Sequence, residues 1–346
     1  MTRPCIGEEI IALQRRIAPE LTEIIILRHE ILRGVSHSQP IGRRALAASM
    51  GRTEREIRRE EKVLREAGLI TVAPDGIRLS VDGEDILWEL GEYVASLSGL
   101  ADLERDLVQT FGLARAVVVP GDSDVDDSVK RDMARAGACL LRGLIEDGDV
   151  VAVTGGTTMA ELASMVSCCN SPRDIVVVPA RGGLGEDVEK QADTVAASLA
   201  KKLGGAHRLL NLPDDLGHEL AAGIAAEPRI RQVLDTIRQA RIVVHGVGTA
   251  ADMARRRNLS PVEIDEIQAL GAVGEAFGYY FNSGGDVVYT TSSLGLRLAE
   301  LAAVDTVICV GGGESKAQAL AAVLRNGFSH IIVTDEGAAR RVQKLI

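Results

Sequence analysis

Beyond about residue 115 one pattern recurs: a short apolar run, a turn rich in glycine, then a stretch with helical periodicity. The runs occupy 116–119, 150–153, 175–178, 242–244, 287–289, 307–310 and 331–333. Short apolar runs without alternation suit strands covered on both faces, as in parallel sheets, and the spacing leaves room for crossover helices. The pattern predicts an α/β fold with a Rossmann-like parallel sheet. With 36 glycines and 3% aromatic residues, a β-sandwich is the poorer fit.

Four of the strand ends carry polar turns. The run 150–153 leads into Thr154-Gly155-Gly156-Thr157-Thr158, and 307–310 into Gly311-Gly312-Gly313-Glu314-Ser315-Lys316. The run 242–244 leads to His245-Gly246-Val247-Gly248-Thr249, with Arg255-Arg256-Arg257 further on, and 175–178 to Pro179-Ala180-Arg181-Gly182-Gly183. Glycine lets a backbone approach a ligand, and a helix N-terminus presents unbonded N–H groups and a positive dipole end, so such turns are ready anion sites. Any one of them is equally well explained by tight strand–helix packing. Four together, with Arg181, Arg256 and Lys316 beside them, favour a ligand at the carboxyl edge of the sheet. Two cradles, one with Thr157 and Thr158 and one with Lys316, suit a ligand with two phosphates. No Walker A or GxGxxG pattern is complete, so a nucleotide is not indicated. No GxSxG or HExxH occurs, and no cofactor is called for. Glu275 could serve as a general base or accept hydrogen bonds from sugar hydroxyls.

The first 95 or so residues read differently. A helical stretch over 21–32 is followed by Gln39-Pro40-Ile41, a short helix over 43–49, the turn Met50-Gly51-Arg52, and a third helix that Thr53 can cap with Glu56 as capping-box partner. Two short runs flanking Pro74-Asp75-Gly76 then predict a hairpin. This is the order of a winged helix-turn-helix. A further helix over 82–98 links it to the rest, giving domains at 1–95 and 96–346.

The formal net charge is −10, which argues against a polyanionic partner if the charge is spread evenly. It is not: eight basic residues face five acidic ones between Arg43 and Glu66. On the third helix Ile57 and Leu64 share one face, Arg55, Arg59 and Lys62 lie opposite, and Arg58 sits at the edge. The bland reading is a solvated helix with ion pairs at i,i+4. The short helix before it and the hairpin after it favour a recognition helix, with Arg43, Arg44, Thr53, Arg55, Arg58, Arg59 and Lys62 as candidate contacts to double-stranded DNA. No apolar run approaches the ~18 residues of a membrane span. The N-terminus is charged where an export signal would be apolar, and the five cysteines form neither a CxxC pair nor a metal spacing. A cytoplasmic protein without bound metal is expected.

These motifs resemble those of the SorC/DeoR-type sugar-responsive bacterial repressors. The resemblance spans nearly the whole chain. It rests on Gln39-Pro40-Ile41-Gly42-Arg43-Arg44 and Thr53-Glu54-Arg55, and on the turns beginning at Thr154 and Gly311. It rests also on Ala180-Arg181-Gly182-Gly183, Glu189-Lys190-Gln191-Ala192, Gly271-Ala272-Val273-Gly274-Glu275 and Thr334-Asp335-Glu336. It implies a winged-helix domain joined to a sugar-phosphate domain related to phosphosugar isomerases and deaminases. It implies a homo-tetramer or dimer, repression of glycolytic genes, and fructose-1,6-bisphosphate as effector. Carried over, Gly155, Gly156, Thr157, Thr158, Arg181 and Gln191 would hold one end of the ligand. Lys316 with the Gly312-Gly313 backbone would hold the other, and Arg256 and Glu275 would lie between them. Which of Arg255, Arg256 and Arg257 matches is open, and Glu314 puts a carboxylate beside the second cradle. The alternatives are a phosphosugar isomerase or deaminase with an appended regulatory domain, and a scaffold whose helix-turn-helix contacts protein only.

Overall fold

The computed structural model describes residues 13–14, 16–97, 99–166, 168, 173–184, 187–214 and 218–346. Contacts divide the chain into two units, Met1–Ala101 and Asp102–Ile346.

In the first unit α1 (Pro19–Ser38), α2 (Arg43–Ser49) and α3 (Glu54–Glu66) precede a hairpin of β1 (Ile70–Ala73) and β2 (Gly76–Leu79), and α4 (Val81–Leu97) follows. Helix α1 starts earlier than the periodicity predicts, because Pro19 can open a helix where no N–H is needed, and it runs on to Ser38. The Thr53–Glu56 capping box is formed and fixes where α3 starts. The strands pair antiparallel from Ile70↔Leu79 to Ala73↔Gly76, leaving Pro74-Asp75 as the turn. Gly76 has φ 140°, and a Cβ there would stand 2.8 Å from the Ile41 nitrogen, so only glycine lets the wing lie against the entry to α2. Ile31, Leu32, Val35, Leu46, Ile57, Leu64, Ile70 and Ile77 close the core of this unit.

The second unit begins with α5 (Leu100–Phe111), β3 (Arg115–Val119), α6 (Asp127–Leu144), β4 (Val150–Val153), α7 (Thr157–Met165), β5 (Val176–Pro179), α8 (Ala192–Leu203) and β6 (Ala206–His207). It continues with α9 (His218–Ala226), α10 (Pro228–Arg238), β7 (Ile242–Gly246), β8 (Gly248–Thr249), α11 (Ala250–Arg256), α12 (Pro261–Ala269), β9 (Ala272–Ala276), β10 (Tyr279–Asn282) and β11 (Val287–Thr290). Helix α13 (Leu298–Leu301), β12 (Thr306–Val310), α14 (Ala317–Arg325), β13 (Ile331–Asp335) and α15 (Glu336–Gln343) complete it. Seven strands form a parallel sheet in the order β3-β13-β12-β7-β4-β5-β6. One core, including Met133, Leu141, Leu162 and Leu199, covers one face, and a second, including Phe281, Val307, Val323 and Phe328, covers the other.

From β4 the chain builds outward through β5 and β6, then returns to the other side of β4 with β7. The order therefore reverses between β4 and β7, and crevices at such switch points receive ligands in open α/β sheets. One apolar run does not enter this sheet. Residues 287–289 belong to β11, the edge of an antiparallel sheet β11-β10-β9-β8. There Val287 is exposed and Val288 half-buried, so hydrophobicity alone mistook an edge strand for a core one.

Candidate functional site

On α3 the buried residues are Ile57, Glu60, Glu61 and Leu64. Arg44, Arg55, Arg58, Arg59 and Lys62 are exposed. Several of these cations hold carboxylates of their own domain. Arg43 donates to Glu61 through Nε at 2.5 Å and Nη2 at 3.2 Å, and the hydrogen bond raises its pKa. Arg59 donates to Glu60 at 2.7 Å, Arg44 meets Glu54 at 3.2 Å, and Lys62 lies 3.8 Å from Glu66 at i,i+4. The Thr53 hydroxyl accepts from the Glu56 N–H and donates to the Glu56 carboxylate, so its first duty is the cap. The face arithmetic from sequence thus located the cations but missed the two carboxylates flanking the apolar stripe.

In the second unit, turns after β4, β5 and β7 surround a cavity of about 310 Å³. Gly155, Gly156, Thr157, Thr158, Arg181, Gln191, Arg256, Glu275 and Lys316 all line it. One wall is the start of α7. Its N-cap, Gly156, has φ 111° and offers no side-chain cap, so the first-turn N–H groups have no partner within the helix. A Cβ at Gly155 would stand 2.5 Å from the Lys190 carbonyl, so this glycine lets the turn close against the loop carrying Lys190 and Gln191. Arg255, Arg256 and Lys316 stand elsewhere on the lining. Burial lowers the Lys316 pKa, with Asp124 and Asp252 opposing that shift.

Gly312 and Gly313 do not line the cavity. The turn after β12 is filled by the chain's own carboxylates: Gly313 N–H donates to Asp335 at 2.8 Å and Ser315 N–H to Asp124 at 2.7 Å. A Cβ on Gly313 would meet Asp124, and one on Gly312 would meet Asp335, so these glycines make room for aspartates. The second cradle expected from sequence is therefore reduced to Lys316.

The cavity floor joins Arg181 and Glu275 to Arg257, which the sequence left open, and to Asp214, which sequence reading missed. Arg257 donates to Asp214 and, at 2.9 Å, to Glu275. Arg181 donates to Asp214 at 2.7 Å and lies 3.9 Å from Glu275. Ser293 also donates to Asp214, and the Gly278 N–H to Glu275. All four charged side chains are at most 6% exposed. Two guanidiniums and two carboxylates make the floor neutral as a set. Burial would push the Asp214 carboxyl up, but Arg181 and Arg257 hold it below the usual range. The three arginines of the run all line the cavity but stand apart. Arg255 pairs with Asp252 at the surface, Arg256 lines the cavity beside Met253, and Arg257 turns into the floor. The triplet itself signalled the place, whereas nothing in the sequence around Asp214 did.

The first unit is a helix-turn-helix with a wing, the second a parallel-sheet domain with a cation-lined cavity at the sheet edge. Residues 95–344 match the family model described as "Putative sugar-binding domain", and residues 24–94 match "CggR N-terminal DNA binding domain". The chain belongs to the SorC/DeoR family of sugar-binding transcriptional regulators. It is 43% identical to the Central glycolytic genes regulator of Priestia megaterium (strain DSM 319 / IMG 1521), over 96% of this chain and 98% of that one. It is 40% identical to the Central glycolytic genes regulator of Bacillus subtilis (strain 168), over the same shares. The crystal structure of a SorC family transcriptional regulator from Enterococcus faecalis is 38% identical, with TM-score 0.66, and covers 70% of this chain and 99% of that one. No helix among the described residues is long and apolar enough to cross a membrane.

Proposed function

We propose that the protein is a cytoplasmic, oligomeric repressor of glycolytic genes whose operator affinity is set by a phosphorylated sugar, with fructose-1,6-bisphosphate the first candidate. The observation that carries this reading is the distribution of charge in the cavity. An uncapped helix N-terminus and the cations Arg256 and Lys316 line it, while its floor is neutral as a set. Anions suit the first two features and a hydroxylated middle suits the third. The two relatives named as regulators of central glycolytic genes support the choice of gene class. The effector acts through its different affinities for the DNA-competent and DNA-incompetent states.

Glu275 is the residue an isomerase or deaminase would need as a base. Its Oε1 accepts from Arg257 and from the Gly278 N–H inside a buried ion cluster, which suits holding a ligand better than shuttling a proton. The test is a thermal-shift panel of sugar mono- and bisphosphates followed by calorimetry. The effector at 100 times its Kd stabilises the native state by about 2.7 kcal/mol. Thr157→Val with Lys316→Ala abolishes that shift and leaves DNA binding intact. Wild-type affinity in this double variant would move the ligand elsewhere, and turnover of a sugar phosphate would make the protein an enzyme.

A further inference from the structure

Glu60 and Glu61 are adjacent on α3 and their side chains are only 3% and 5% exposed. Each is held from a different helix. Arg28 of α1 donates to Glu60 at 2.9 Å, with Arg59 at 2.7 Å on the other oxygen. Arg43 of α2 grips Glu61 with two nitrogens. Consecutive residues lie about 100° apart on a helix, and the line through Ile57 and Leu64 passes between these two. The pair therefore straddles the apolar seam. Rolling α3 about its axis in one direction strains the Arg28–Glu60 bond, and rolling it in the other strains Arg43–Glu61. Ile57 and Leu64 are the only buried apolar residues of α3, and contacts between apolar side chains are non-directional, so they leave the roll loosely set. Burial alone would raise the Glu60 pKa; Arg28 and Arg59 together hold it low, so the pin is charged at neutral pH.

We infer that Arg28, Arg43, Glu60 and Glu61 are positioning residues that fix the roll of the recognition helix and so set base specificity, with Arg43 acting through Glu61 rather than on phosphate. This rests on α3 being the helix that reads DNA. Attraction to phosphates depends on charge and tolerates a small roll. Hydrogen bonds to base edges do not, because each needs a narrow donor–acceptor geometry. Taking a carboxylate out of water to meet an arginine that stays about a third exposed is also a poor way to gain stability compared with an apolar residue, which leaves geometry as what these carboxylates contribute.

The experiment compares two duplexes of equal length: one selected by the wild-type protein from a random pool, and a scrambled version. In Glu61→Gln, affinity for the selected duplex falls about tenfold, the size of one lost base contact. Affinity for the scrambled duplex holds or rises, because a negative charge has been removed. Arg43→Met with Glu61→Met replaces the pair by apolar side chains and keeps the fold while the selected-to-scrambled ratio falls similarly. Its salt slope matches wild type, whereas a lost phosphate contact would reduce the slope by about 0.9. The inference is overturned if Glu61→Gln binds both duplexes more tightly to the same degree. It is overturned also if the apolar double variant keeps the wild-type ratio or loses slope. If the wild-type protein enriches no duplex from the pool, the assignment of α3 to DNA fails first, and this inference with it.

Discussion

The protein uses arginine in two opposite ways. On α3, Arg55 and Arg58 stand in solvent on the face away from Ile57 and Leu64. In the cavity floor, Arg181 and Arg257 are buried against Asp214 and Glu275. An exposed cation costs nothing to keep charged and is available to any polyanion, so its effect is additive and screened by salt. A buried one exists only because its partners exist, so its effect is collective. The largest difference between the regions should therefore be in stability. Asp214→Ala strips the shared acceptor of Arg181, Arg257 and Ser293, and breaking a buried pair of this kind costs about 3–5 kcal/mol. Arg58→Ala on the helix surface changes stability by less than about 0.5 kcal/mol. Urea denaturation of the two variants measures both, and equal losses would erase the distinction.

Salt separates the regions next. If Arg44 of α2 and Arg55, Arg58 and Lys62 of α3 each neutralise one phosphate, every helix-turn-helix contributes about 3.6 to the slope of log K against log salt. Raising salt from about 50 to 200 mM then weakens operator binding by roughly a hundredfold per helix-turn-helix. Effector binding at a partly enclosed, cation-lined cavity falls far less over the same range. Fluorescence anisotropy on DNA and calorimetry on the effector give the two slopes. A shallow DNA slope would mean that these cations serve their own glutamates instead.

The same contrast explains what could be read from sequence. Strands, Gly-rich turns and the Thr53–Glu56 box are local: apolar run length, glycine placement and a spacing of three residues specify them. The exposed arginines of α3 follow from helical periodicity. The turn after β12 looked like a phosphate cradle because glycine followed by helix is the visible half of the pattern. The other half, Asp124 and Asp335 taking up its N–H groups, comes from segments 191 and 22 residues away. The Asp214–Arg257 contact spans 43 residues and the Arg181–Asp214 contact 33. Glu60 and Glu61 were missed for a related reason: as charged residues they count as solvent-facing, and only Arg28 and Arg43 from other helices make their burial tolerable.

His245 extends the comparison to a buried group kept neutral. It lies at the end of β7, among Phe277 and Phe328, with one nitrogen on the Gly246 carbonyl and the other on Ser329 Oγ. Burial lowers its pKa from 6.5 to about 4. The sign follows from linkage. Between these two values the unfolded chain binds the proton and the native one does not, so stability is complete above pH 6.5 and falls as pH drops toward 4. From pH 7 to 5 this one residue removes about 2 kcal/mol. His245→Gln, with no proton to take up, is less stable at pH 7 but loses about 2 kcal/mol less than wild type on acidification. Parallel urea curves at the two pH values decide it, and an identical loss in both proteins would place the titration elsewhere.

The smallest effect lies at the start of α3, where the Glu56 charge is only half-buried yet still ordered by local bonding. Thr53 accepts from the Glu56 N–H at 3.3 Å, and Glu56 accepts from the Thr53 N–H at 3.0 Å. These bonds close two groups that the first helical turn leaves unsatisfied. The hydrogen bond from Thr53 holds the Glu56 carboxyl below its usual range, so the box is intact above the ordinary glutamate pKa and is lost as pH falls through the depressed value. Thr53→Ala costs about 1 kcal/mol and weakens that acid dependence without abolishing it, because the residue-53 N–H still donates to Glu56. Because α3 is also pinned by Glu60 and Glu61 further along, fraying stays in its first turn. Amide exchange therefore quickens at residues 54–57 and not at Leu64. Operator affinity drops only as far as Arg55, within that turn, contributes, and the salt slope falls by at most about one contact. Exchange quickening along the whole of α3 would show that the cap, and not the buried pair of carboxylates, holds the reading helix in place.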